Sequence, residues 1–164
     1  MISYKITFSS RYLLICLLST GIFFATAQSK KKRKRQQQIT TVIETAKTYL
    51  GTPYKWGGNT KAGIDCSGLI HYSYKKIGIN LPRTAKEQSK IGKKRSWDGI
   101  REGDIVYFKF KTKKGKYWHS GLISNVEKDK ISFIHASSSR GVVESNLMSD
   151  YYRKSVKNFR RVIK

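Results

Sequence analysis

The sequence has little cysteine, little negative charge and no long unbroken apolar run. Its most apolar stretch, Tyr12 to Phe24, is interrupted by Ser19, Thr20 and Gly21, whereas a membrane-spanning helix needs about 20 apolar residues. That shortfall argues against a permanent membrane anchor and fits a cleaved export leader. Lys5 and Arg11 supply its positive flank, and Ala25-Thr26-Ala27 supplies small residues for cleavage. Attachment of a lipid at Cys16 is disfavoured by the bulky Ile15 before it. Cleavage is predicted after Ala27, giving a signal peptide over 1–27 and an exported product.

The scarcity of cysteine then becomes sharper. Cys16 and Cys66 are the only two, and Cys16 leaves with the leader. The product cannot form an internal disulfide, and an unpaired thiol in an exported chain invites a catalytic role. A lone cysteine is also commonly a small buried hydrophobe. Nor is there a short-spaced His or Cys pair of the kind that binds zinc, so neither metal nor cofactor is predicted.

Acidic residues number 10 against 34 basic ones, a formal charge of +24. Lys30 to Arg35 is an unbroken run of cations followed by three glutamines. Such a composition cannot bury itself, so 28–38 is predicted to be a solvated, disordered arm. The field attracts polyanions of every kind, whether nucleic acid, anionic lipid or wall polymer. No groove-reading motif or aromatic-basic platform points to specific nucleic-acid binding.

With 164 residues in all, the remainder is sized for one domain, 39–164. Ile39, Val42, Ile43, Ala46, Tyr49 and Leu50 recur at spacings of three and four, which predicts a helix from Thr40 to Leu50, ended by Gly51. A glycine-rich loop follows, then a helix from Asp65 or Cys66 that carries Leu69, Ile70, Tyr74 and Ile77 inward and closes at Gly78. A shorter helix is predicted from Thr84 to about Lys90. Strands are predicted at Asp104–Phe110, Trp118–Ser124, Ile131–Ala136 and Val142–Ser145. Helices first and strands later imply an α+β fold.

Asp65-Cys66-Ser67-Gly68 stands where loop becomes helix, so the Cys66 thiol lies at the positive end of the helix, which favours the thiolate. Acyl transfer by a thiol also needs a proton carrier. His119 and His135 both fall in predicted strands: His119 as base, His135 accepting a hydrogen bond from its other ring nitrogen, and the Cys66 N–H binding the oxyanion. Strand histidines are also commonly structural. His71, one turn and a little beyond Cys66, points elsewhere and is assigned no role.

Six blocks together carry a resemblance. They are Thr52-Pro53-Tyr54-Lys55-Trp56-Gly57-Gly58, Asp65-Cys66-Ser67-Gly68, Leu81-Pro82-Arg83-Thr84, Glu102-Gly103-Asp104-Ile105-Val106-Tyr107-Phe108, His119-Ser120-Gly121 and Phe133-Ile134-His135-Ala136. In order and spacing, over about Ile39 to Arg161, they resemble the NlpC family of cell-wall cysteine peptidases. The resemblance implies a papain-like α+β domain and a Cys66-His119-His135 triad. It also implies hydrolysis of a peptidoglycan stem peptide, most often at the bond from the D-glutamate γ-carboxyl to a diamino acid. Cleavage of cross-links and wall binding without turnover are the alternatives. Ser120, where the family has a small apolar residue, and the cationic stretch Lys109 to Lys116 depart from the pattern.

Four further residues match substrate-side positions of the family. Asp65 corresponds to the residue that receives the free α-amino group of a stem peptide, with helix capping as its other role. Ser67 lines that subsite or is an ordinary first-turn residue. Tyr54 binds substrate or assists the oxyanion, or packs the loop, a task that suits Trp56. Arg83 meets a stem carboxylate or pairs with Asp65. The partners implied are peptidoglycan stem peptides, and anionic wall polymers through the basic arm.

Overall fold

The computed structural model describes residues 10–113 and 115–164, with side chains from residue 28 onward except Thr112. Its backbone separates into two compact units, 1–36 and 37–164. Helix α1 spans Ser10–Lys47. The predicted leader lies outside the described residues over 1–9 and, for side chains, over 10–27. The basic segment predicted to be an irregular arm is helical in the structure, and its residues 30–34 are exposed. Lys, Arg and Gln are good helix formers, so a segment too polar to be buried still takes helical backbone. Among the described residues no helix is long and apolar enough to cross a membrane.

Within the second unit, α1 buries Val42, Ile43 and Ala46. The chain turns at Gly51, whose φ of +81° suits glycine. The turn is pinned to the far sheet edge: Gly51 N–H donates to Val142 O, and Val142 N–H to Thr52 O, each at 2.9 Å. A two-strand ribbon, β1 (Asn59–Thr60) and β2 (Gly63–Ile64), leads into α2 (Cys66–Lys75). Leu69, Ile70 and Tyr74 of α2 are fully buried. Thr84 caps α3 (Ala85–Gln88) through the Glu87 N–H.

The remainder is mostly antiparallel sheet: β3 (Lys93–Arg95), β4 (Ile105–Thr112), β5 (Gly115–Val126), β6 (Ile131–Ser137), β7 (Gly141–Asn146) and β8 (Val156–Arg161). The strand order is β3-β8-β4-β5-β6-β7, and the four-residue helix α4 (Asp150–Arg153) precedes β8. The fold class is therefore α+β, as expected, and the four predicted strands correspond to β4–β7. Lys114, in the predicted turn between β4 and β5, lies outside the described residues.

Side chains alternate between the two faces of the sheet. Ile105, Tyr107, Leu122, Ile134 and Ala136 pack against α1 and α2 in one core. Val106, Phe108, Phe110, Ile123, Phe133, Leu147 and Phe159 form a second, aromatic-rich core. The pair of buried Asp104 and partly buried Arg161, 2.6 Å apart, ties the start of β4 to the end of β8.

Candidate functional site

Cys66 is the first residue of α2, and Asp65 is its N-cap. The Asp65 carboxylate is crowded with donors. Oδ1 accepts from Gly68 N–H (2.7 Å), Ser67 Oγ (3.0 Å) and Arg83 Nη1 (2.8 Å). Oδ2 accepts from Gly57 N–H (2.9 Å) and Arg83 Nη2 (2.8 Å). Burial pushes this carboxyl up, but the Arg83, Gly68 and Ser67 bonds outweigh it and hold the group below its usual range. Arg83 also donates to Ser67 Oγ at 3.1 Å and to the Gly58 carbonyl at 2.9 Å. A Cβ at residue 58 would collide with the Gly63 carbonyl, so glycine there lets the loop fold tightly enough to meet Arg83.

The Cys66 thiol is buried and unpaired. Burial pushes it up, against opposing hydrogen bonds from the backbone and hydroxyl of Ser120 and from the Ser67 backbone. The helix-start position was expected to favour the thiolate; desolvation wins, and the resting group is a thiol. Ser120 is fully buried, and its hydroxyl makes no hydrogen bond of ordinary geometry.

His119 on β5 and His135 on β6 stand edge to face, with His119 Nε2 at 2.9 Å from His135 Nδ1. His119 pairs in register with Phe108 and lies near Phe110; His135 stacks on Phe133 at 4.7 Å. Burial lowers His119 to about 4, offset slightly by the Asp65 charge. Burial, then His119 and Arg140, lower His135 to about 3. Both rings are therefore neutral at neutral pH, so His119 is ready to take a proton.

A cleft of about 580 Å³ brings the two halves together. Cys66, His119 and His135 line it, as do Tyr54, Asp65, Ser67 and Arg83. Tyr54 is half-buried, and its phenol is pushed up to about 12 by burial, then by Cys66 and Asp65. It stays protonated and can donate. Trp56 does not pack the loop: it is 86% exposed and lines the cleft, and Tyr54 is the aromatic residue of this loop that packs against the core. His71 is held elsewhere, its Nδ1 2.6 Å from the Leu81 carbonyl. Among the described residues no three His, Cys, Asp or Glu side chains converge as a metal ion requires.

Other residues of the site carry no sequence signal. Phe110, Tyr117, Tyr151 and Tyr152 form an aromatic wall of the cleft, with Phe110 stacked on both Tyr117 and Tyr151. Ser145 and Tyr152 contact His135 from β7 and α4. Tyr151 and Tyr152 sit in a polar stretch with no strand or helix periodicity, so only folding places them here.

Comparison with known proteins agrees with this architecture. The NlpC/P60 family model matches residues 51–161. A "Gamma-DL-glutamyl hydrolase" of Bacillus subtilis strain 168 is 38% identical over 122 residues, covering 73% of this chain and 28% of its own length. The "Probable endopeptidase NlpC" of Escherichia coli K12 is 37% identical over 117 residues, covering 71% of this chain and 73% of its own. A crystal structure of an NlpC/P60 family protein from Bacillus cereus ATCC 10987 superposes with a TM-score of 0.67 at 30% identity, over 77% of this chain and 40% of that one. The chain thus spans less than half of two of these relatives.

Proposed function

The chain belongs to the NlpC/P60 family, and on that premise we propose that it is an exported cysteine peptidase that hydrolyses peptidoglycan stem peptides. The observation that carries this reading is the meeting, in one cleft, of a helix-start thiol and a pair of hydrogen-bonded neutral imidazoles. The bond we assign is that between the γ-carboxyl of D-glutamate and a diamino acid. The name of another Bacillus subtilis relative, a "Gamma-D-glutamyl-L-lysine dipeptidyl-peptidase" 40% identical over 81 residues, supports it, lysine being a diamino acid.

In this mechanism His119 takes the proton of the Cys66 thiol as sulfur attacks the carbonyl carbon. The oxyanion meets the Cys66 N–H and the Tyr54 hydroxyl. The imidazolium of His119 then protonates the leaving amine, which departs as the carbonyl re-forms, leaving a thioester. Water, deprotonated by His119, attacks the thioester; the sulfur leaves and recovers its proton. His135 holds the ring of His119 throughout.

Asp65, Ser67 and Arg83 form the polar floor beside the nucleophile. With five donors already on Asp65, the free α-amino group of a stem binds it by displacing Arg83, whose guanidinium then meets a stem carboxylate. The basic segment at 30–35 holds anionic wall polymers by charge. A chain lacking it should bind whole sacculi more weakly at low salt, the difference shrinking as salt is raised; unchanged binding at low salt would reject that role.

The test is incubation of the mature protein and of Cys66→Ala with defined muropeptides, with products identified by mass spectrometry. Products cut after γ-D-glutamate, made only by the unsubstituted protein, are expected. Products cut between cross-linked stems would assign the other bond. Equal activity in both proteins, or none in either, would remove the hydrolase reading.

A further inference from the structure

The hydrogen bonds do not stop at His135. Its Nε2, the nitrogen turned away from His119, lies 3.0 Å from Ser145 Oγ and 3.2 Å from Tyr152 OH. Arg140, in the turn between β6 and β7, points Nη2 at both oxygens, donating at 3.4 Å to Ser145 and 3.5 Å to Tyr152. His135 is 2% exposed, and the Tyr152 ring meets it edge-on, centroids 5.4 Å apart. No water reaches such a ring freely, so each nitrogen depends on its protein partners.

A neutral imidazole has one N–H and one lone pair, and its two nitrogens play opposite parts. Two proton arrangements therefore satisfy the chain. In the first, His119 Nε2–H donates to His135 Nδ1, and His135 Nε2–H donates onward to the two oxygens. His119 Nδ1 is then a bare lone pair, able to accept a proton. In the second every bond is reversed, and His119 Nδ1 carries a hydrogen that disqualifies it as a base.

We propose that Ser145 and Tyr152 are positioning residues that select the first arrangement, fixing His135 as its Nε2–H tautomer and so His119 as a base. The inference rests on the reading of His119 as the base. Two hydroxyl oxygens crowd one ring nitrogen. An N–H can be shared between two acceptors, whereas a single in-plane lone pair accepts one donor. Each oxygen has lone pairs for both Arg140 and His135, and Ser145 is only partly buried, which leaves its own proton room to turn away from the ring. The Arg140 charge opposes a second proton on His135, keeping the ring a neutral acceptor toward His119. The groups facing His135 are thus His119 from β5, Arg140 from the turn and Tyr152 from α4.

The test reads the tautomers directly. The chain has three histidines, so a long-range ¹⁵N–¹H correlation spectrum of the labelled protein at neutral pH resolves each ring. His71 is an internal reference: a carbonyl only accepts, so its Nδ1 carries the hydrogen. Nε2–H is expected for His119 and His135. In Ser145→Ala/Tyr152→Phe, His135 should move to Nδ1–H and His119 should lose its Nε2–H, with His71 unchanged as evidence of an intact fold. Turnover should fall roughly a hundredfold in kcat with KM little changed, and Ser145→Thr, which keeps the oxygen, should retain the parent tautomers. Nδ1–H at His135 in the unsubstituted protein, or tautomers unmoved in the double variant, would overturn the proposal. A protein that shows the expected tautomers yet cuts no muropeptide would uphold the relay and remove the peptidase reading instead.

Discussion

On the helix side of the cleft, Asp65 and Arg83 are ionised and face each other at 2.8 Å, tied to Ser67, Gly57, Gly58 and Gly68. On the sheet side, His119 and His135 carry no charge and stand in a wall of Phe108, Phe110, Phe133 and Tyr152. One side holds groups whose charge stays the same; the other holds groups whose charge changes in the proposed mechanism. An ion pair with a guanidinium survives any ordinary pH and, before any ligand binds, holds the turn that precedes Cys66. A base serves only if it starts unprotonated, and burial among aromatic rings secures that.

The comparison breaks most visibly on the sheet side. His119→Ala should lower kcat/KM on a muropeptide by about 10⁴-fold while the circular dichroism spectrum holds. Activity within tenfold of the parent would show that the sheet side is not the proton carrier.

Next in size is the response to acid. In the proposed mechanism His119 must be neutral to act, so kcat/KM should be flat near neutrality and fall tenfold per pH step below about 4. A limb centred near 6.5 would show that burial does not keep the base neutral. Stability should follow with a defined sign. The folded values, about 4 and about 3, lie below the unfolded imidazole value near 6.5. The unfolded chain therefore binds more protons between them, so this contribution is complete above pH 6.5 and is lost as pH falls toward 3. Thermal melts from pH 7.5 to 3.5 should show Tm declining below about 6.5, less steeply in His135→Gln.

The smallest effect sharpens the helix side. Asp65→Asn keeps a capping oxygen but leaves Arg83 without its counter-charge. It should cost about 1–3 kcal/mol in urea unfolding. The acid limb of activity should move slightly down, since the Asp65 charge favours protonated His119. A shift of that limb upward would contradict the separation of the two sides.

Strands β4–β6 were legible because apolar side chains fill much of both their faces, and β7 from its adjoining Val142 and Val143. Strands β3 and β8 were not: Lys93–Arg95 is wholly cationic, and in Val156–Arg161 only Phe159 is buried. A charged strand at a sheet edge or near it is held by backbone pairing and leaves little hydrophobic pattern. Helix α1 begins earlier than the apolar spacing implied, because long polar side chains extend a helix without an inward face. In the site, Cys66, Asp65, His119 and His135 were legible from motif blocks. Ser145 was not: it shares the face of His135 only because β7 pairs with β6 in the register Phe133↔Ser145 and His135↔Val143.

The amino-acid sequence by itself determined the inventory: one thiol beyond the predicted leader, two strand histidines, an acid at the start of the Cys66 helix, and an excess of cations. These follow from residue type and local spacing. Only the tertiary structure decided the state of those groups. Cys66 rests as a thiol, His119 and His135 are neutral, and Asp65 is saturated with donors. Desolvation and hydrogen bonding are set by what surrounds a group, and those surroundings come from segments as distant as Arg83, Ser120 and Tyr152, which only the folded chain brings together.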